Sequence, residues 1–390
     1  MRYEFTIYGS GISAKLTCNL LLKNGFKVCL ILDQDNNKEV SNTNLVTFLS
    51  QGSLNYLSSM FTNIELFRDY SEIQTINCQL DSLSSNKSEA IKFNDYEKKS
   101  LGKIVKNTHI EKFLNDEINQ SSNLHIIFSN QLKIIENNSK NVKLKLDNDK
   151  EIETDLLILS STKENITKQL KINFIKKDLE QKALSISMMG DIQNEHLAFQ
   201  KFTSDGPLAL LPYSKNEASV VWSLKNNSKI LSKDEGELHQ IIDEHLNTYF
   251  SSTKILSIEK HKLQFTYAKN LYHKSIVLLG NIAHNIHPIA GQGLNLSIKD
   301  IALFIKQIYR YKSLGYKVND QMLLEEFEMK RKLDNTAYSF GTLSLDGILS
   351  SNNELVNFTT RKGLGLLEKN KYLKQLFVRS ATGQDFFENF

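Results

Sequence analysis

Tyr3-Glu4-Phe5-Thr6-Ile7-Tyr8-Gly9-Ser10-Gly11-Ile12-Ser13-Ala14 opens the chain with a short apolar run, two glycines one residue apart, and a small residue three positions on. The run predicts a buried strand over 3–8. The residues after it predict a helix to about Asn24, closed by Gly25, and 27–32 predicts a second strand. Strand, turn, helix and strand within about 30 residues make a βαβ unit, the context that gives Gly-x-Gly-x-x-Ala its meaning. Gly9 permits the tight turn, Gly11 lets a pyrophosphate approach the backbone, and Ala14 lets the helix pack close on the strand. The helix N-terminus adds free N–H donors and the positive end of a dipole. The segment reads as a dinucleotide-binding turn, against the plainer reading of a tight βα turn. The acid that should end the second strand falls on Leu32. Asp33 lies next and is the candidate in its place, a surface turn aspartate being the alternative.

Further along, 44–60 predicts a helix, 71–95 short strands, and 108–120 an amphipathic helix with Ile110, Phe113, Leu114 and Ile118 on one face. Leu156 to Leu159 reads as a buried parallel strand. Strands follow over 181–224, a helix over 233–248, a strand over 254–269 and another from Ile276 to Leu279. A long helix begins near Gln292 or Gly293, and 319–382 is almost wholly helical. The order gives an α/β chain. A Rossmann-like dinucleotide-binding domain (1–70, 96–180 and 270–345) carries an inserted β-sheet substrate domain (71–95 and 181–269) and a helical C-terminus (346–390).

The 390 residues are 40% hydrophobic and 24% charged, the composition of a globular chain. Only 17 are Gly and 3 are Pro, where average usage gives about 27 and 20, so a turn-rich all-β architecture is excluded. A net charge of +4 without a basic patch gives no sign of a nucleic-acid partner. Cys18, Cys29 and Cys78 lack metal or redox spacing and read as reduced thiols. No run reaches transmembrane length and the N-terminus carries no signal-peptide pattern, so a cytoplasmic location is expected.

Gly280-Asn281-Ile282-Ala283-His284-Asn285-Ile286-His287-Pro288-Ile289-Ala290-Gly291-Gln292-Gly293-Leu294-Asn295-Leu296 follows a buried strand and opens a helix. Pro288 fixes one bend, Gly291 and Gly293 permit unusual backbone angles, and N–H groups at a helix start can hold an anion. The segment resembles the flavin-contacting motif of the class A aromatic hydroxylases, above all the ubiquinone-biosynthesis flavin monooxygenase family. Gly206-Pro207-Leu208-Ala209-Leu210-Leu211-Pro212 and Val220-Val221-Trp222-Ser223 are similar to two further strands of that family. Asp300, Glu325, Arg331, Asn335, Arg361, Gly363, Leu364 and Lys374 fit its C-terminal pattern. His284 and His287, spaced for a metal pair, lack a third ligand, and no metal is expected.

The resemblance implies FAD as cofactor, held by Gly9, Gly11, Ala14, Asp33, Gly280, Asn281, Pro288, Gly291, Gln292, Gly293, Leu294 and Asn295. It implies a monooxygenase that hydroxylates the aromatic ring of a polyprenylated ubiquinone precursor through a flavin C4a-hydroperoxide. The electron donor would be external, NAD(P)H or a redox protein. Leu208, Leu210 and Pro212 would face the ring, and no acid or base is assigned as catalytic. Four positions depart from the family: Leu32 for the ribose acid, Leu45 for an arginine near the next helix, Ser161-Thr162 for Asp-Gly after the third core strand, and Asn281 for aspartate. Each lost charge-assisted bond removes roughly 1.5–3 kcal/mol, so two or three could cost on the order of a thousandfold in FAD affinity. The alternative is therefore an FAD-poor homologue acting as scaffold or regulator in a quinone-biosynthesis complex. The basic and apolar residues of 361–379 suggest contact with an anionic membrane surface, which would place the protein peripherally on the inner membrane. A solvated face of a packed helix is the alternative there.

Overall fold

Strands Arg2–Tyr8, Val28–Leu32 and Glu151–Leu159 are near-continuous apolar runs, and Phe5, Ile7, Val28, Leu30 and Leu156 to Leu159 are all buried. Strands covered on both faces take this composition, because helices pack on each side of a parallel sheet. The computed structural model describes residues 1–33, 44–62, 67, 69–80, 89–94, 100–118, 121–287, 291–349 and 370–388. Its first sheet has a parallel core in the order Ile276–Leu278, Glu151–Leu159, Arg2–Tyr8, Val28–Leu32, Leu124–Phe128. The antiparallel hairpin Leu132–Asn137 and Val142–Leu146 pairs with the first half of Glu151–Leu159. Helix Ile12–Lys23 makes the first crossover and ends on Gly25 at φ +80°, a left-handed closure that suits glycine. Helix Asn107–Ile118 buries the four residues its periodicity selected.

A second sheet of eight strands carries Phe174–Ile192, Leu197–Thr203, Gly206–Pro212, Glu217–Lys225 and Phe250–Ala268, with Thr75–Leu80 and Glu89–Asn94 at one edge. It begins at Phe174, seven residues before the expected insertion, because the long strands 174–192 and 250–268 pair along their length. One face of this sheet packs a separate core of Leu184, Ile186, Phe199, Leu208, Leu210, Trp222, Leu238 and Ile242 beneath helix Glu235–Leu246. That helix starts with a reciprocal capping box between Asp234 and Glu237.

The helix expected over 44–60 is divided. Val46–Ser50 is a strand paired with Gly102–Lys106, and the helix spans Gln51–Met60. β-Branched and aromatic Val46, Thr47 and Phe48 favour the sheet. Ser50 then caps the helix by accepting from the Ser53 N–H. Helices Gly293–Ser313, Gln321–Leu349, Lys371–Thr382 and Gln384–Glu388 complete the chain. None of the described helices is long and apolar enough to cross a membrane.

Candidate active site

The C-terminal ends of the parallel strands converge on one cleft. Gly9 N–H donates to Ile31 O, Ser160 N–H to Tyr8 O and Leu279 N–H to Leu159 O. The backbones at residues 9, 160 and 280 are thus drawn together at the sheet's edge, where open α/β sheets bind ligands. Gly9 (φ +150°) leaves no room for a side chain: a Cβ there would sit 3.0 Å from the Ser160 carbonyl. At Gly280 (φ +82°) it would meet Ser13 Cβ at 2.7 Å. Gly11 is different, with open space beside it.

The cleft has a volume of about 620 Å3 and is lined by the 8–13 turn, Asp33, 160–163, Asn281, His287, Gly291, Gly293 and Leu294, among others. Helix Ile12–Lys23 begins at Gly11 and helix Gly293–Ser313 at Gln292, neither with a side-chain cap. Their first-turn N–H groups therefore remain for an anion. The Tyr8 hydroxyl, buried and without a hydrogen-bond partner among the described residues, lines the same cleft. Burial and nearby Asp33 push its pKa up to about 12, so it stays a neutral donor. Lys15, on the first helix, pairs with Glu111 at 3.3 Å. Burial holds the Glu111 carboxyl above its ordinary range against the pull of that lysine.

Among the sequence candidates, Gly9, Gly11, Asp33, Asn281, Gly291, Gly293 and Leu294 line this cleft. Ala14 is buried under the turn. Gln292 faces a different cavity. Asn295 clips the long helix to the neighbouring strand, donating to Phe48 O and accepting from Ser50 N–H. Pro288 lies outside the described residues. Leu32 is buried in its strand, but Asp33, one residue on, is buried in the cleft and ion-paired with Lys163. Its N–H is held by the Ser10 hydroxyl at 2.8 Å. Lys163 directly follows the altered Ser161-Thr162, so two departures from the family pattern meet in one salt bridge. Leu45 sits outside this cleft, just before the strand that displaces the expected helix.

Beneath the second glycine loop lies a fully buried polar network. His284 Nε2 is 2.6 Å from Asp300 Oδ2, Arg331 Nε donates to Asp300 Oδ1 at 2.5 Å, and Arg331 Nη2 donates to Asn335. Burial pushes the Asp300 carboxyl up, but Arg331 and His284 outweigh it and hold it below the usual carboxylate range. His287 contacts Gln181 at 2.8 Å and faces the cleft. No two of these network residues had been joined from sequence. The i, i+4 spacing of Arg331 and Asn335 on a helix was the available signal.

Two further cavities continue from the cleft. A chamber of about 260 Å3 is lined by Leu45, Ala183, Ser185, Gln200, Ala209, Leu211, His261 and others. It shares Val46, Asn107 and Gly291 with the cleft. An apolar chamber of about 400 Å3 shares Phe48, Ile76 and Gln200 with it and runs out between Tyr338, Leu345 and Phe377. Strand Gly206–Pro212 presents alternate residues to two sides. Ala209 and Leu211 line the small chamber, whereas Leu208 and Leu210 are buried in the core on the other face, and Pro212 borders neither chamber. A one-residue slip exchanges the faces of a strand, and a run of Leu-Ala-Leu-Leu carries no polarity contrast to fix it.

Residues 2–313 match the model of a family described as FAD binding domain. Ubiquinone hydroxylase UbiL of Rhodospirillum rubrum is 27% identical over 209 residues, 52% of this chain and 48% of that protein. The mitochondrial ubiquinone biosynthesis monooxygenase COQ6 of Dictyostelium discoideum is 24% identical over 344 residues, covering 74% and 70%. The chain thus spans about half the length of the first of these relatives. Among solved structures, p-nitrophenol 4-monooxygenase PnpA of Pseudomonas putida superposes with a TM-score of 0.77 at 11% identity, covering 97% of each chain, a likeness of fold. FAD suits the cleft's donor set: a glycine turn open at Gly11, two uncapped helix starts, an unpartnered tyrosine hydroxyl and a buried acid at the second strand's end. With the family model matched over most of its length, the chain belongs to the FAD-binding-domain family of class A flavin monooxygenases.

Proposed function

We propose that this protein is an FAD-dependent monooxygenase that hydroxylates the aromatic ring of a polyprenylated phenol or quinone precursor in ubiquinone biosynthesis. The observation that carries the proposal is a row of three adjacent cavities that share wall residues: a polar cleft, a small chamber beside Gly291, and an apolar chamber beyond it. A ring fits the small chamber and an isoprenoid tail the apolar one. The segments 71–95 and 181–269 then serve as the substrate domain, and 1–70, 96–180 and 270–345 as the cofactor domain.

Bound FAD, once reduced by an external donor, supplies activated oxygen for transfer to an electron-rich ring. The protein's own residues bind, orient and exclude water. Gly9, Gly11 and the start of helix Ile12–Lys23 would receive the pyrophosphate, and Asp33 the adenosine ribose. Gly291, Gly293 and Leu294 would hold the ring's pyrimidine edge with backbone N–H groups. Ala209, Leu211 and Val221 would wall the substrate ring in an apolar, water-poor space. The burial of Asp33 in the cleft supports an FAD-retaining enzyme over an FAD-poor scaffold.

Membrane contact would rest on the apolar more than on the basic residues of the segment that the sequence suggested. Residues 361–369 lie outside the described residues, Lys374 is buried, and Arg379 is tied to Asp385 and Glu388. Beside Lys371 and Ser380, helix Lys371–Thr382 exposes a group of large apolar side chains: Tyr372 (71%), Phe377 (59%), Leu373 and Leu376. Phe377 also borders the apolar chamber, so a lipid surface there would meet the tail's exit.

The test is to purify the protein, assay bound flavin, and supply reductant, oxygen and a short-chain prenyl phenol. Product heavier by one oxygen atom is expected. Flavin binding without any oxygenated product would remove the hydroxylase assignment, and absence of flavin would remove the cofactor reading beneath it.

A further inference from the structure

Among the described residues lining the 260 Å3 chamber, His261 is the only ionisable one. The rest are aliphatic, aromatic, glycine, or the neutral polar Asn107, Ser185, Gln200 and Ser219. His261 lies on strand Phe250–Ala268, two residues from Glu259 and on the same face. Its side chain is 42% exposed, and its Nε2 lies inward, 3.3 Å from Glu259 Oε2, an ion-pair distance without a hydrogen bond. Glu259 is fixed in turn: its Oε1 accepts the Asn44 N–H at 2.9 Å, and Asn44 Nδ2 donates to Ser257. The arrangement is an imidazole within ion-pair distance of a held carboxylate, lining an otherwise uncharged chamber. Lys182 and Lys262 pair on the alternate face, where Lys262 meets Asp178.

We infer that His261 accepts the phenolic proton of the substrate, with Glu259 as its counter-charge. The inference rests on the small chamber being the ring site, as proposed above. In the step, the substrate O–H bond breaks, its electron pair stays on oxygen, and the proton bonds to Nδ1, since Nε2 faces Glu259. The products are a phenolate and an imidazolium, neutral together and balanced by Glu259. No oxidant or reductant takes part. A phenolate is more electron-rich than a phenol, so the ring becomes a better acceptor of an electrophilic oxygen. Among the described residues, the one ionisable group facing His261 is Glu259 on its own strand. The strand with Ala183 and Ser185, the strand with Ser219 and Val221, and the helix start at Asn107 bring none into the chamber.

The test reads the ligand rather than turnover. FAD-loaded, oxidised protein is titrated with 4-nitrophenol, whose phenolate absorbs visibly, and the bound probe is followed against pH. An uncharged apolar chamber raises a phenol's pKa, whereas a protonated neighbour lowers it. The wild-type protein should therefore hold the probe as phenolate to about one pH unit below its titration in water, a tenfold change in equilibrium. His261→Gln should reverse the sign, placing the bound titration above that in water. Glu259→Gln should fall between, which keeps the test open should the first variant fold poorly. An unchanged bound titration in a His261→Gln protein of normal flavin content would overturn the inference alone. Failure of the wild-type protein to bind the probe would overturn the ring-site reading and this inference with it.

Discussion

The two ends of the cleft, proposed above to hold the flavin ring and the adenosine, are built on different principles. At the ring end, one loop and two helices are locked by a sealed network, with His284, Asp300, Arg331 and Asn335 all buried. At the adenosine end, the expected acid and Asp-Gly pair are absent, and a single ion pair between Asp33 and a partly exposed Lys163 stands in their place. The first region couples cofactor geometry to the folding of the whole C-terminal half. The second is local, and its sequence changes are confined to the ends of two strands. A site can therefore keep strict geometry around a reacting ring while the contacts that only add affinity are exchanged.

The largest break should come at the ring end. Arg331→Met removes the guanidinium partner of the buried Asp300, and breaking such a pair costs about 3–5 kcal/mol, read by chemical denaturation. The pH dependence gives a second readout. In the wild-type protein the Asp300 carboxyl lies below its ordinary value. Its contribution is therefore present above the unfolded pKa, about 3.9, and is lost as pH falls. In Arg331→Met the guanidinium's lowering is gone and only His284 opposes burial, so the carboxyl sits higher than in the wild type and the loss of stability in acid moves to higher pH. A variant whose stability and acid slope match the wild type would show that the network does not hold the loop.

Next comes the wall of the small chamber. Leu210→Ala should cost about 2–5 kcal/mol, because Leu210 sits in the core on the sheet's far face. Leu211→Trp should leave that core intact and fill the chamber, removing phenol binding. The opposite pattern, binding lost at 210 and stability at 211, would restore the register read from sequence. The difference in facing has a physical source. The fold was legible because strand–glycine–helix punctuation and buried apolar runs are local signals, and the Gly9 and Gly280 turns fell where they were expected. Facing was not legible in Leu208 to Leu211, where both faces of the strand are apolar. Val46–Ser50 carries a short local preference for strand, but the pairing with Gly102–Lys106 that settles it lies half a hundred residues away. Lys163 and His261 gave no motif at all; each gains meaning only from a neighbour brought close by the fold.

At the adenosine end the effect should be smaller and confined to affinity. Asp33→Asn removes a charge-assisted contact of about 1.5–3 kcal/mol, so FAD binding should weaken roughly 10- to 100-fold by flavin fluorescence titration. Tight binding by that variant would mean that other contacts hold the ribose. Smallest of all, Phe377→Glu should lower liposome co-sedimentation roughly a few-fold without altering flavin content. No change would remove the exposed face of helix Lys371–Thr382 as the membrane contact.

The account stands most directly on whether the rebuilt adenosine end still holds FAD. Purified protein should carry flavin absorbance, bind one FAD per chain in a saturable titration, and melt at a temperature that climbs with FAD concentration, as linkage requires for a ligand of the native state. Colourless protein whose melting temperature stays flat to saturating FAD would contradict it.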